Sequence, residues 1–133
     1  MTIDKARVQQ IFQNLETGDA DAFFSHVSPD VDWTVMGTHP LAGHYRTLDA
    51  FRKSTFERLT PCLTQPIQLV LQHIFVEGNT AIVELLATSK SRAGWDFDNH
   101  YCWIVTFADH TIVEVRAYLD SAMVAKLITE HEA

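Results

Sequence analysis

From residue 67 onward the chain breaks into apolar runs of strand length, separated by tight turns, and this spacing constrains the fold most. Ile67 to Val76 is rich in branched apolar residues and ends at Glu77-Gly78-Asn79, a sequence suited to a two-residue hairpin turn. Residues 80–90 then pair back antiparallel. Gly94 marks the next turn, and a long strand follows over about 96–107. Ala108-Asp109-His110 turns the chain again into a last strand, Thr111 to Leu119. Four successive strands joined this way form a meander, and a meander must bury one face against something.

The first half supplies that cover. Val8, Ile11, Phe12 and Leu15 recur at helical spacing, so residues 3–17 read as a helix, with Thr2 as N-cap and Gly18 as its left-handed stop. Asp19 or Asp21 caps a short second helix through His26. Ser28-Pro29-Asp30 reads as a turn and Val31 to Met36 as a short strand. Gly37 to Arg46 is loop. Thr47 caps a third helix over 48–59, with Leu48, Phe51, Thr55 and Leu59 on one face, and Pro61 stops it. Ser121 caps a final helix carrying Met123, Val124, Leu127 and Ile128. Helices segregated from an antiparallel sheet define an α+β fold, read here as one domain over 1–133. A curved sheet laid over helices encloses a pocket between the layers.

Charge narrows the partners. Seventeen acidic against ten basic residues give a net charge of −7, and the cations are scattered. Nucleic acid and anionic membrane surfaces both require clustered Lys and Arg, so neither is an expected partner. No apolar run reaches the ~18 residues of a membrane span. The opening MTIDKARVQQ is amphipathic and lacks the apolar core of a signal peptide, so the expected location is the cytoplasm. Cys62 and Cys102 lack metal-ligand spacing and read as reduced thiols. His39 and His44 are five apart across a proline, and no HxH, HxxxH or HExxH occurs, so no metal is expected. No glycine-rich phosphate loop or nucleophile elbow is present, and no cofactor is expected.

Three segments carry a resemblance: LETGDADAFFSHVSPDVDW (15–33), GTHPLAGHYRTLDAF (37–51) and DNHYCWIVTFADHTIVEVRAYLD (98–120). With the order of elements, they resemble the nuclear transport factor 2-like superfamily, in its SnoaL-like and ketosteroid-isomerase-related branch. The resemblance implies a cone-shaped domain with an apolar pocket open at one end, and a homodimer formed through the sheet. It also allows the family's catalytic sets to be sought. Ketosteroid isomerases place a tyrosine, a carboxylate base and a protonated aspartic acid at positions that fall near Ile11, Thr34 or Val35, and Trp103, so that set is missing. Limonene-epoxide-hydrolase-like members use an Asp-Arg-Asp set. Asp120 matches its last member, while the strand around Ala87, Thr88 and Ser89 lacks the others. SnoaL-like cyclases use an acidic residue near the pocket mouth for aldol chemistry, with a histidine nearby, and Asp120 fits that place.

Asp120 is thus the candidate acid or base, since a carboxylate at the rim of an apolar cavity has its pKa raised. It also precedes a helix and can be an N-cap. Alternation puts Val113, Val115, Ala117 and Leu119 on one face and Glu114, Arg116, Tyr118 and Asp120 on the other, so a pocket role for Asp120 needs a bulge. On the long strand Asn99, Tyr101, Trp103, Val105 and Phe107 share a face. Asn99 and Tyr101 are candidate ligand contacts, with Tyr118 beside them, and Trp33 and Trp103 are candidate apolar walls. His39 and Tyr45, in a loop across the pocket mouth, are further polar contacts. The expected ligand is an apolar, oxygen-bearing small molecule. The expected activity is isomerisation or cyclisation by acid–base chemistry, with a non-catalytic binding or dimerisation domain as the alternative.

Overall fold

The computed structural model describes residues 2–132. Helices α1 (Lys5–Glu16) and α2 (Ala20–Phe24) open the chain, followed by β1 (Val27–Val35), β2 (Gly43–Tyr45), α3 (Leu48–Ser54), α4 (Phe56–Leu59) and a 3-10 turn at Thr60–Cys62. Strands β3 (Leu69–Glu77), β4 (Thr80–Ala87), β5 (Ser89–Lys90), β6 (Asp96–Phe97), β7 (His100–Ala108) and β8 (Thr111–Leu119) follow, and α5 (Ser121–Glu132) ends the described chain.

Six strands form one sheet in the order β2-β1-β8-β7-β4-β3, and β5 pairs with β6 in a small separate ribbon. The meander β3-β4-β7-β8 is antiparallel throughout, but β1 lies parallel to β8. The sheet is therefore mixed and not purely antiparallel. A strand that precedes the meander can reach its far edge only by a long connection, and α3, α4 and the following loop provide it. Three irregularities bend the sheet: between Val27 and Asp32, between Leu71 and His73, and where Thr106 pairs with Glu114 but Phe107 pairs with Ile112. Each inserts residues on one side of a ladder and increases local twist.

Boundaries moved for identifiable reasons. Asp4, not Thr2, caps α1, its carboxylate accepting from Arg7 N at 2.8 Å. β1 begins at Val27, so Ser28-Pro29-Asp30 is strand and not turn. Pro29 is tolerated because the pairing with β8 lapses between Val27 and Asp32, where no N–H is needed. The expected helix over 48–59 is broken at Thr55 (φ −123°, ψ −80°), whose hydroxyl donates to the Phe51 carbonyl at 2.7 Å. Gly18 is left-handed, with φ +78°, as a helix stop requires.

The inner sheet face and the helices share one core. Val8, Ile11, Phe12 and Leu15 of α1 pack beneath Val83 and Leu85 of β4, Trp103 and Val105 of β7, and Val115 and Ala117 of β8. At the edge strand β3, the Leu71 N–H is satisfied by the Glu16 carboxylate at 2.8 Å, which blunts that edge against further pairing. Among the described residues, no helix is long and apolar enough to cross a membrane.

Candidate functional site

At the end of the core nearest β1, β7 and β8, packing opens into a slot. Trp33 and Val35 of β1, Tyr101 and Trp103 of β7, and Ala117 and Leu119 at the end of β8 form one wall. Phe51, Thr55, Phe56 and Leu59 from α3 and α4 form another, and His39, Leu41, Ile67, Leu69 and Val124 complete it. The slot is narrow, with a cavity volume of about 40 Å³. The walls include no Asp, Glu, Lys or Arg.

Aromatic packing sets the shape. Trp33 stacks on Phe51 with ring centroids 3.8 Å apart and planes at 18°. Trp103 stands edge-on to Trp33 at 5.2 Å, and Tyr101 edge-on to Trp103 at 6.3 Å. The site follows from period-two alternation. Trp33 and Val35 are i and i+2 on β1, and Tyr101 and Trp103 are i and i+2 on β7, so both pairs point inward.

The slot's polar atoms are its unusual feature. The indole N–H groups of Trp33 and Trp103 and the hydroxyl of Tyr101 are buried without a hydrogen-bond partner among the described residues. A buried unpaired donor costs roughly 1–3 kcal/mol, so most proteins satisfy such groups. Here three belong to residues that line one cavity. Burial pushes the Tyr101 phenol well above its ordinary pKa, so it stays protonated and remains a donor. An indole N–H can only donate. The unpaired polar atoms of these three lining residues are therefore donors, and an acceptor is what would satisfy them.

His39 is committed elsewhere. The Leu41 N–H donates to its Nδ1 at 3.2 Å, and its Nε2 lies 3.0 Å from the Met36 carbonyl, which fixes the proton on Nε2. Burial lowers its pKa, against a smaller opposing effect of the Met36 carbonyl, so the ring is neutral. It walls the slot and folds the 37–42 loop. Gly37, at φ +114°, makes room for that loop, since a Cβ there would meet Ser121 Oγ at 2.2 Å and the His39 ring at 2.9 Å.

The structure brings Trp33, His39, Tyr101 and Trp103 together and places the other four sequence candidates outside the slot. The Tyr45 hydroxyl donates to the Leu41 carbonyl at 2.8 Å and braces the same loop. Asn99 is fully buried. Its Oδ1 accepts from Asp120 N–H at 3.0 Å and its Nδ2 donates to the Asp120 carbonyl at 3.4 Å, so it continues the sheet by mimicking a strand. Tyr118 is 44% exposed on the opposite sheet face, because Cys102, its cross-strand partner, also points outward. Asp120 is exposed, and its carboxylate accepts from Met123 N–H at 3.1 Å, capping α5 in place of Ser121. The bulge on β8 falls at Val113, too far back to turn Asp120 inward. Asp120→Ala is expected to lower stability by about 1 kcal/mol, and Asp120→Asn, which can still cap, by only a few tenths. Neither is expected to change ligand affinity. A loss of affinity in the Asn variant at unchanged melting temperature would give Asp120 a role at the slot.

Among the slot residues missed in the sequence are Phe51, Thr55 and Leu59. Their shared helical face was legible, but what that face covers was not. Among the described residues, no three His, Cys, Asp or Glu side chains come together as a metal site would require.

A domain of helices over a curved mixed sheet, with an apolar slot between the layers, is the nuclear transport factor 2-like fold. An NTF2-like protein from Burkholderia thailandensis E264 shares it at TM-score 0.77 and 22% identity, over 92% of this chain and 95% of that one. TerC, crystallised with polyporic acid, shares it at TM-score 0.72 and 17% identity, over 93% and 96%. The SnoaL-like domain profile matches residues 8–115, and the chain belongs to that family. It is also similar to the dimerizing cyclase phiC of a fungus (Fungal sp. strain ATCC 74256), with 27% identity over 129 residues, which cover 94% of this chain and 57% of that protein. The chain spans a little over half the length of the curated relatives it matches.

Proposed function

We propose that the slot holds an apolar, oxygen-bearing small molecule and promotes its isomerisation or cyclisation without a cofactor. The observation that carries this reading is the set of three buried, unpaired donors, Trp33, Trp103 and Tyr101, on the walls of one apolar cavity. A ligand oxygen that reached these donors would give them the acceptor the protein does not supply. As a ring closes or a double bond shifts, charge accumulates on that oxygen, and donors already in place stabilise it without reorganisation. Tyr101, which keeps its proton, is the strongest acid of the three. The imidazole of His39 is the one neutral base on the wall, and its Nδ1 becomes free when the Leu41 N–H lets go. The similarity to a dimerizing cyclase supports a ring-forming reaction.

A second reading, a binding domain without turnover, is favoured by one specific observation: the slot has no carboxylate, and both His39 nitrogens are occupied. One experiment separates the two. A thermal-shift panel of steroids, polyketide-like phenols, terpenoid epoxides and long-chain acids identifies a stabilising compound, which is then incubated with the protein and analysed for product. A ligand at a hundred times its Kd adds about 2.7 kcal/mol. Stabilisation with turnover supports the enzyme, stabilisation alone supports the binder, and equal stabilisation by hydrocarbon analogues that lack an acceptor oxygen would count against the donor set.

We further propose a homodimer through the outer sheet face. Phe75 and Tyr118 stand 58% and 44% exposed on that face and Ile82 39%, and Phe75 and Ile82 are cross-strand partners, so their exposed side chains adjoin. Light scattering is expected to give twice the chain mass for the parent and a monomer for Ile82→Glu; a monomeric parent would remove the proposal. The two free thiols suit a reducing compartment such as the cytoplasm.

A further inference from the structure

The slot, with a cavity of only about 40 Å³, is too narrow for a steroid- or phenol-sized molecule, so under the function just proposed, on which this inference rests, its walls must part to admit one. We infer that Arg58 is the latch that holds them together. It sits on α4 between Phe56 and Leu59, both of which line the slot. Its guanidinium donates to both carboxylate oxygens of Glu132, Nη2 to Oε1 at 2.8 Å and Nε to Oε2 at 3.1 Å. Its remaining Nη1 donates to the Pro40 carbonyl at 3.3 Å. One side chain thus ties three segments, and each contributes to the slot: α4 itself, the 37–42 loop through His39 and Leu41, and α5 through Val124.

The segment under the latch is built to move. α4 is only four residues long, with no side-chain cap at its start, and it joins α3 through the break at Thr55. A segment with so few internal hydrogen bonds depends on tertiary ties. The tie is bidentate and charge-assisted, yet partly solvated, with the Arg58 and Glu132 side chains 34% and 42% exposed. Such a pair holds a segment in place without locking it. The hydrogen bond from Arg58 lowers the pKa of the Glu132 carboxyl, so the tie holds further into acid than an unpaired glutamate would stay charged. Arg58 acts on access to the slot and not on the chemistry inside it, which makes it a positioning residue.

The test needs no substrate. In a Trp95→Phe background, the remaining tryptophans are Trp33 and Trp103, both in the slot, and acrylamide quenching of their fluorescence reports opening. Arg58→Gln and Glu132→Gln are each expected to raise the quenching constant about two- to fivefold, the population change that losing such an ion pair allows. Salt at 0.5 M is expected to do the same to the parent and nothing further to the variants. Hydrogen exchange provides the second measurement: amides of residues 39–59 accelerate in the variants while those of β7 and β8 do not. Unchanged quenching in both variants overturns the latch, and so does equal acceleration in β7 and β8, which would mean general destabilisation. Because acrylamide replaces any ligand, failure here leaves the proposed function standing, and failure of the ligand panel leaves the latch standing.

Discussion

Trp33→Ala is expected to destabilise the protein by about 3–5 kcal/mol, as loss of a fully buried large aromatic typically does. For a domain of this size the melting temperature should fall by roughly 10–20 °C. Trp33 has no exposed surface, lies flat on Phe51, meets Trp103 edge-on and touches Phe24 at 6.4 Å between centroids. It joins β1 to α3, the two elements between which the slot opens, and alanine would leave a cavity on both sides. Trp33→Phe keeps the stack and loses the N–H. Its cost should be smaller, below about 2 kcal/mol, because part of the lost contact is offset by removing an unpaired buried donor. Thermal and urea denaturation of both variants measure this. Equal destabilisation by Phe and Ala would mean that the indole N–H has a partner in the free protein.

Tyr101→Phe is expected to move stability and function in opposite directions. In the free protein the hydroxyl is buried and unsatisfied, so removing it should leave stability unchanged or raise it by up to about 1 kcal/mol. With a ligand oxygen in place the same hydroxyl is a hydrogen-bond donor, and its loss should weaken binding about tenfold or more. If the slot catalyses, turnover should fall by about 10²-fold, at the lower end of what one oxyanion donor contributes. A residue kept for packing cannot give that pair of results, since its loss lowers stability and leaves the ligand's polar contacts intact. A Phe variant that is clearly less stable would place the hydroxyl in the fold and not in the site.

The sequence was most readable where a single period controls the answer. β8 runs from Thr111 to Leu119 as alternation and its flanking turn dictate, and Phe51, Thr55 and Leu59, spaced as on one helical face, all reach the slot although the helix breaks at Thr55. It was least readable where one residue's role depends on a distant partner. Pro29 looked like a turn because the lapse in β1–β8 pairing that accommodates it is a tertiary event. Asp120 and Ser121 are equally good caps by type, and only the observed bond to Met123 N–H separates them. Strand parity was slipped by the bulge at Val113, so Ile112 and not Val113 joins Val115 and Ala117 inside. His39 and Tyr45 stood in the right loop, yet their polar atoms serve the loop's own folding. The tryptophans were expected as apolar walls. That their N–H groups are unpaired could not be read from the chain, because satisfaction is a property of everything packed around them.

Indole NMR tests the central claim, that the slot's donors are held for a ligand oxygen, most directly. The protein has three tryptophans, and Trp95 is an internal control, because its N–H already donates to Glu130 at 2.8 Å. A 15N-labelled sample is titrated with the best carbonyl compound from the thermal-shift panel. The Trp33 and Trp103 indole protons are expected to move downfield on saturation, as new hydrogen bonds require, while that of Trp95 stays in place. Binding that leaves both slot indoles unmoved would contradict that claim.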